Sequence, residues 1–139
     1  MSHYMLDTNV LSDIGNERDG WQRIVGKISL YGQHRCVLSA ITWHELRYGI
    51  ASGAGKIGKP VIALLNQVYS GFEVMPFDEA AAAQSVVSRM ALRTPGKPIS
   101  WPDVMIAGHA LALGYTVVTA NVGEFRRVAG LNVVNWRDK

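Results

Sequence analysis

Five short apolar or β-branched segments recur along this chain, separated by longer stretches with helical character. The predicted strands are Tyr4–Asp7, Cys36–Ala40, Glu73–Phe77, Thr116–Thr119 and Val133–Asn135. Strands that alternate with helices predict parallel pairing, because each helix carries the chain back to the starting edge of the sheet. We therefore expect an α/β fold built on a parallel sheet.

Helical patterns occupy the intervals between these strands. In the segment Thr42–Ser52, the side chains of Trp43, Leu46 and Ile50 fall on one stripe, which is typical of a helix packed on a core. Asp78 is a predicted N-cap before an alanine run, and Gly114 is the predicted C′ residue of the last long helix. Besides Thr42–Ser52, the predicted helices are one or two within Asp13–Gly32, then Lys56–Ser70, Asp78–Leu92 and Pro102–Leu113.

Composition predicts one soluble domain. The 139 residues, 48% hydrophobic and 18% charged, fit a single domain over residues 1–139. The lone cysteine, Cys36, cannot form an internal disulfide, and the first residues lack the pattern of a signal peptide. No apolar run is long enough to span a membrane, so we expect a cytoplasmic protein.

Acidic or amide residues lie at several places where a predicted strand or loop meets a helix. They are Asp7, Glu45, Asp103 and the pair Asn121 and Glu124. The carboxyl ends of parallel strands line one edge of a sheet, so these groups are expected to converge there. The formal charge is +3. If the acidic residues named above lie together in one pocket, the rest of the surface is basic and suits a phosphate polymer. An ordinary solvated surface is the alternative, because Lys and Arg are scattered.

Helix capping is the competing interpretation of each acidic position. Ser100 to Asp103 and Thr42 to Glu45 both fit a capping box, and Asn121 to Glu124 is a weaker third case. Asp7 could turn a strand into a helix through its own backbone contacts. Capping does not explain why the strand-end acids share one edge, so both interpretations stay open.

Converging carboxylates predict a cation. Two carboxylates ~4 Å apart repel by ~4 kcal/mol at an effective dielectric constant of ~20, so they must bind a proton or a cation. Oxygen ligands suit Mg²⁺ or Mn²⁺, whereas zinc requires His or Cys at ligand spacing, which the four histidines lack. His44, His109 and the thiol of Cys36 are expected to be structural.

Four segments in order resemble the PIN domain and, more narrowly, the VapC toxins. They are Met5-Leu6-Asp7-Thr8-Asn9, then Ser39-x-x-Thr42-x-x-Glu45-Leu46-x-x-Gly49, then Gly96-x-Pro98-Ile99-x-x-x-Asp103-x-x-Ile106-Ala107, then Val118-Thr119-x-Asn121-x-x-Glu124-Phe125. The stretch from Gly130 to Trp136 resembles the closing strand of that family. The resemblance therefore covers essentially the whole chain.

The resemblance implies a PIN-like three-layer sandwich, with a parallel five-stranded sheet in the order 3-2-1-4-5 flanked by helices. It also implies an Mg²⁺- or Mn²⁺-dependent endoribonuclease, the toxin of a type II toxin–antitoxin system. The expected partners are a VapB-type antitoxin, an RNA substrate and a second copy of the chain. The apolar faces of Ile24–Tyr31 and Ile57–Val68 are candidate partner surfaces, although core packing also explains such faces.

By resemblance, Asp7, Glu45 and Asp103 correspond to the metal-binding acids, and Thr8 and Thr119 to the polar residues that support them. Many PIN domains have Asp where this chain has Asn121, with Glu124 three residues later. Either could contribute directly or through water, so the occupancy of a second metal position stays open.

The reaction hypothesis is that Mg²⁺ held by Asp7 and Asp103 polarises a phosphate and activates a water, which Glu45 orients or deprotonates. Trp43 or Trp101 could stack on an unpaired base, although Trp43 is expected in the core. Candidate phosphate contacts are the cations Arg47, Arg89, Arg93, Lys97 and Arg126.

Two rival functions remain at this point. A PIN-like fold that keeps its acids for capping would be a catalytically inactive RNA- or protein-binding scaffold. A related DNA-directed 5′ nuclease is the third possibility, although such enzymes usually need more acids and a longer chain.

Overall fold

The computed structural model describes residues 2–52, 71–93 and 96–138. The predicted helix Lys56–Ser70 and the candidate partner face Ile57–Val68 lie outside the described residues. In the parts of the chain that the structure describes, no helix is long and apolar enough to cross a membrane.

One parallel sheet forms the middle of the molecule. Its strands are β1 (Tyr4–Leu6), β2 (Cys36–Ser39), β3 (Glu73–Met75), β4 (Thr116–Val118) and β5 (Val133–Val134). They pair in parallel in the order β3-β2-β1-β4-β5, which confirms the expected fold class and strand order. Each strand ends one or two residues earlier than predicted, because the chain already turns toward the next element there.

Six helices cover the two faces of the sheet in the described part of the chain. They are α1 (Thr8–Gly15), α2 (Trp21–Tyr31), α3 (Ala40–Ser52), α4 (Glu79–Ala91), α5 (Trp101–Leu113) and α6 (Val122–Phe125), with a 3-10 turn at Gln33–Arg35. Two predicted caps are confirmed. The Asp78 carboxylate accepts a hydrogen bond from the Ala81 N–H at 3.0 Å, and Gly114 ends α5 in the left-handed conformation with φ 71°.

Two helices begin earlier than predicted. Helix α1 begins at Thr8, directly after β1, and α3 begins at Ala40, directly after β2. The Ser39 hydroxyl accepts a hydrogen bond from the Ile41 N–H at 3.1 Å, so α3 needs no intervening loop. Thr42 is therefore inside α3, and the prediction that it caps the helix together with Glu45 is wrong.

Alternate strand residues point to opposite faces of the sheet and create two separate core clusters. In β1, Leu6 packs in the cluster beneath α1, α2 and α3, whereas Met5 packs in the cluster beneath α5 and α6. The same alternation separates Leu38 from Val37 in β2. The result is the expected three-layer arrangement, with helices on both faces of the sheet.

The predicted apolar stripe of α3 is only partly buried. Leu46 is buried and Ile50 packs against the same cluster, as expected. Trp43 is 42% exposed, so the prediction that it packs in the core is wrong. The packed face of α3 passes through Thr42 and Leu46, and Trp43 lies beside that face.

Replacing Gly108 by Ala is expected to destabilise the fold. A Cβ atom at this position in α5 would lie 2.5 Å from the backbone nitrogen of Ser85 in α4, so the two helices would have to separate. Overpacking of this kind costs about 1–3 kcal/mol. Urea unfolding of the purified variant measures the change.

The control is Gly26→Ala in the exposed middle of α2. A Cβ atom there meets nothing within 4 Å, so this variant is expected to gain about 0.5–1 kcal/mol from higher helix propensity. Equal effects of the two substitutions would contradict close packing of α4 on α5.

Candidate active site

The carboxyl ends of β1 and β4 hold a buried carboxylate between two hydroxyl-bearing residues. Asp7 follows β1 and is 1% exposed. Its Oδ1 accepts a hydrogen bond from the Thr8 N–H at 2.7 Å, and its Oδ2 accepts one from the Thr119 hydroxyl at 2.9 Å. Both oxygens are thus oriented by neighbours, and Asp7 is also the N-cap of α1.

Thr119 links the Asp7 carboxylate to the next loop. Its hydroxyl oxygen accepts a hydrogen bond from the Asn121 N–H at 2.9 Å while it donates to Asp7. The Thr119 side chain is fully buried, so both bonds are shielded from water. This places the loop before α6 at the same edge of the sheet as Asp7.

Glu45 reaches the site from the second turn of α3. Its Oε1 accepts a hydrogen bond from the Thr8 hydroxyl at 2.7 Å. Thr8 therefore contacts both acids, Asp7 through its backbone and Glu45 through its side chain. The support that the sequence predicts from Thr8 and Thr119 matches these contacts.

Asp103 approaches from the first turn of α5. The Ser100 hydroxyl caps this helix and accepts a hydrogen bond from the Asp103 N–H at 3.4 Å. The predicted capping role of Ser100 is therefore present, and the Asp103 backbone provides its donor. The Asp103 side chain also forms a hydrogen bond with Ser100, and its carboxylate interacts electrostatically with Asp7, Glu45 and Glu124.

Burial and mutual repulsion raise the pKa values of two of these acids. The pKa of Asp7 rises to about 7, first because of burial and then because of the negative charges of Asp103 and Glu45, although its bonds to Thr119 and Thr8 oppose the rise. Burial raises the pKa of Asp103 as well, and Glu45 and Glu124 add to that shift. The two ion pairs within the described residues both involve Asp13, so none of these acids has a described Lys or Arg partner.

Asn121 and Glu124 lie at the rim of the acidic cluster. Asn121 occupies the N-cap position of α6, but its side chain makes no capping hydrogen bond, so the weaker capping prediction is wrong for that side chain. Glu124 is half-buried and acts electrostatically on Asp103. All the predicted site residues therefore occupy one edge of the sheet, as the parallel topology requires.

The donor set fits a hard cation, although its members do not yet enclose one. Within residues 2–52, 71–93 and 96–138, no three acidic, His or Cys side chains are close enough together to hold a metal ion. The Thr8 hydroxyl holds Glu45, and like charges keep the carboxylates apart. Several carboxylates without a cationic partner nevertheless form the oxygen-rich environment that Mg²⁺ and Mn²⁺ prefer. Their role as metal ligands stays a prediction.

Two of the three other titratable candidates are buried and have structural roles. His109 is buried against the Ser39 hydroxyl at 2.8 Å, and burial lowers its pKa. Burial raises the pKa of the Cys36 thiol to about 11, so this thiol is a poor nucleophile. Both predictions of a structural role are confirmed. His44 is exposed and stacks on Tyr48, with ring centroids 6.2 Å apart.

Sequence reasoning did not identify a groove beside Glu45. This cavity, of about 450 Å³, has walls that include Tyr48 from α3 and Met105 from α5. Both residues lie four positions after another wall residue, Tyr48 after His44 and Met105 after Trp101. That spacing is the signal available in the sequence, but it marks a helix face without showing that two such faces meet.

Comparison with known proteins agrees with this fold. The family model described as the PIN domain matches residues 4–131. The tRNA(fMet)-specific endonuclease VapC of Shigella flexneri is 32% identical over 136 residues, which cover 98% of this chain and 99% of that protein. Ribonuclease VapC2 of Haemophilus influenzae (strain Rd) is 31% identical over 136 residues, with the same coverage.

Solved structures give the same result. The chain resembles one in the crystal structure of DNA-bound VapBC from Salmonella typhimurium, with a TM-score of 0.81, 34% identity, and coverage of 98% of this chain and 99% of that one. It also resembles a chain of VapBC-1 from nontypeable Haemophilus influenzae, with a TM-score of 0.80, 28% identity, and coverage of 97% and 98%. The chain belongs to the PIN-domain family and, within it, to the VapC-type toxins of VapBC toxin–antitoxin systems.

Replacing Asp7 by Asn is expected to stabilise the metal-free protein at pH 8. The pKa of Asp7 is about 7 in the fold and 3.8 ordinarily, so the folded state keeps a proton that the unfolded state has lost. The ionised carboxylate therefore destabilises the fold increasingly above about pH 4 and fully above about pH 7. At about 1.4 kcal/mol per pKa unit, the gain reaches a few kcal/mol at pH 8 and vanishes near pH 4. Thermal unfolding in EDTA at both pH values measures it.

Asp13→Asn is the matched control for this prediction. Asp13 is also buried, but it pairs with Arg18 at 3.0 Å and Arg137 at 3.3 Å. Removing its charge is expected to destabilise the protein at pH 8, which is the opposite sign. A loss of stability in Asp7→Asn at pH 8 would contradict the view that this carboxylate lacks a compensating charge.

Proposed function

We propose that the chain is a metal-dependent endoribonuclease that hydrolyses RNA phosphodiester bonds as the toxin of a type II toxin–antitoxin system. The observation that carries this proposal is the buried Asp7, oriented by Thr8 and Thr119 beside Asp103 and Glu45 with no described basic partner. The relatives named as a tRNA(fMet)-specific endonuclease and a ribonuclease support RNA as the substrate class.

Mg²⁺ or Mn²⁺ is the proposed cofactor, with Asp7, Asp103 and Glu45 as the residues that would hold it. When bound, such an ion would supply positive charge to the phosphate and lower the pKa of a water bound to it, so that more hydroxide is available at neutral pH. Oxygen ligands with no cationic partner among the described residues support this choice over zinc.

Individual residues of the chain have separate roles in the proposed reaction. Thr8 and Thr119 hold the Asp7 carboxylate in one orientation. Glu45, held by the Thr8 hydroxyl, is placed to orient the attacking water or to accept its proton. Glu124 adds negative charge on the Asp103 side, and the Asn121 side chain, which makes no hydrogen bond within the described residues, is available for water or phosphate.

A VapB-type antitoxin is the proposed protein partner. The candidate surface on α2 supports it, because Val25 is 41% and Leu30 is 70% exposed while Ile24 of the same helix is buried. A basic antitoxin side chain would complement the acidic cluster. A homodimer is part of the proposal as well, because an exposed apolar face such as that of α2 also suits a second copy.

The first test is cleavage of a mixed single-stranded RNA with Mg²⁺ or Mn²⁺. We expect cleavage by the wild-type chain, none in EDTA, and none by Asp7→Asn or Asp103→Asn, because each removes a charge that would hold the ion. Glu45→Gln is expected to be roughly 100-fold slower or worse, since it removes the group that moves or orients the proton. Gel analysis of the products at fixed times measures all five reactions.

Asp78→Asn is the matched control for these variants. Asn caps helices as well as Asp does, so α4 is expected to keep its N-cap and the variant its full activity. RNA cleavage that is indifferent to EDTA and to both aspartate variants would indicate a contaminant or the scaffold interpretation. Faster cleavage of a matched DNA would favour the DNA-directed nuclease.

Thr119→Val is expected to raise the metal concentration needed for half-maximal activity. Loss of the hydroxyl removes the bond to Asp7 and leaves the Asn121 N–H without its acceptor. Losing such a supporting bond typically costs about 10–100-fold in metal affinity or activity. Thr119→Ser, which keeps the hydroxyl, should recover most of the loss. Equal metal titrations of the Val and Ser variants would show that the hydroxyl does not position Asp7.

A further inference from the structure

Trp101 stands between two cavities of different character. Its side chain is 61% exposed at the start of α5. On one side lies a cavity of about 630 Å³ with walls that include Arg89 and Arg93, here called the arginine cavity. On the other side lies the groove of about 450 Å³ beside Glu45, here called the Glu45 groove. The same indole belongs to the walls of both.

The Glu45 groove is apolar, aromatic and continuous with the acidic cluster. The rings of His44 and Tyr48 lie almost parallel in this groove, at an angle of 4°, and Trp101 also lines it. Glu45 also belongs to this groove, and it is bound to Thr8 beside Asp7. A flat group in the groove would therefore lie next to the site of the proposed reaction.

The arginine cavity has positive charge without a described acidic partner. Arg89 lies on α4, and Arg93 follows the end of that helix. Among residues 2–52, 71–93 and 96–138, both ion pairs belong to Asp13, so neither arginine is paired with a carboxylate there. Guanidinium groups in this situation attract phosphate.

We infer that Trp101 is a base-stacking platform for the RNA substrate, with one nucleobase against its indole in the Glu45 groove and a neighbouring phosphate on Arg89 and Arg93. This inference rests on the proposed function and adds to it a path for the RNA strand. An aromatic face beside cationic groups is the combination that binds single strands, because every base has a π-face and every linkage has a charge.

The two arginines favour RNA over an apolar protein surface at this position. An apolar helix seated on Trp101 would cover Arg89 and Arg93 without pairing them, which is unfavourable for buried charge. A phosphate backbone neutralises the same groups. The occupant is thus a single-stranded nucleotide segment, and stacking selects an unpaired base more than a particular base.

The other exposed tryptophan of this region, Trp43, does not line the Glu45 groove. It lies on α3 but not on the face that carries Ile41, His44, Glu45 and Tyr48 into the groove. The guanidinium of Arg47 covers its ring at 5.6 Å from the centroid. Trp43→Ala is therefore the matched control for Trp101→Ala, since both remove an exposed indole.

The first arm of the test measures binding of a fluorescently labelled, mixed single-stranded RNA by anisotropy in EDTA, where no cleavage is expected. We expect Trp101→Ala to bind ~5- to ~150-fold more weakly, Trp101→Phe to retain most of the affinity, and Trp43→Ala to bind as the wild type does. The absence of binding by both the wild-type chain and Asp7→Asn, which carries less negative charge, would overturn the inference.

The second arm separates stacking from phosphate contact through salt dependence. Arg89→Ala and Arg93→Ala should each reduce the slope of log affinity against log salt by about 0.7, because each removes one phosphate contact on a single strand. Trp101→Ala should weaken binding without changing that slope. Lys27→Ala, on α2, is the control for loss of a surface cation.

The third arm replaces the bases of the RNA one at a time by an abasic nucleotide. One abasic position should weaken binding to the wild-type chain as much as Trp101→Ala does, and should cause no further loss in Trp101→Ala, as expected for two partners in one contact. The inference would be overturned if the losses of binding were additive at every abasic position. It would also be overturned if Trp101→Ala changed only the oligomeric state, as measured by light scattering.

Failure of the inference and failure of the proposed function give different results. If the wild-type chain cleaves RNA in a metal-dependent way and Trp101→Ala binds RNA unchanged, the stacking role of Trp101 is rejected and the nuclease function is supported. If Trp101→Ala loses the base-dependent part of RNA binding but the wild-type chain cleaves nothing, the stacking role of Trp101 is supported and the protein is an RNA-binding scaffold.

Discussion

The arrangement of the site depends on one carboxylate, Asp7, at the end of the central strand of the sheet. Strand β1 lies between β2 and β4, so a residue that follows it is surrounded by protein on both sides. The hydroxyl of Thr119 and the N–H of Thr8 orient the two oxygens of Asp7, and the other acids approach from α3 and α5. The fold thus places a carboxylate with acidic neighbours in a buried position.

Such a position is unfavourable for the folded state, and the contrast with Asp13 shows why it is unusual. Asp13 is also buried, with 3% of its surface exposed, but two arginines neutralise its charge. Asp7 has acidic neighbours instead, and its pKa rises to about 7. A purely structural role does not require acidic neighbours around a buried carboxylate, because they raise the free energy of its ionised form. The difference supports a functional role for the charge of Asp7.

Much of the fold and the identity of the candidate site residues could be predicted locally. Strand positions follow from short β-branched runs, and Asp78 and Gly114 mark helix ends because their chemistry suits those ends alone. The starts of α1 and α3 could not be predicted, since Thr8 and Ala40 enter helices without the loop that a separate cap would need. The exposure of Trp43 could not be predicted either, because it depends on which face of α3 meets the sheet.

The sequence by itself determined that acids stand at the strand and helix ends, that strands alternate with helices, and that the pairing is parallel, because these properties depend on near neighbours. Only the tertiary structure decided which acid is buried and what surrounds it. The bond between Asp7 and Thr119 joins residues 112 positions apart, and Trp101 borders both arginines and Glu45 because α3, α4 and α5 meet around it. Burial and charge compensation arise from packing among distant segments, which local patterns do not encode.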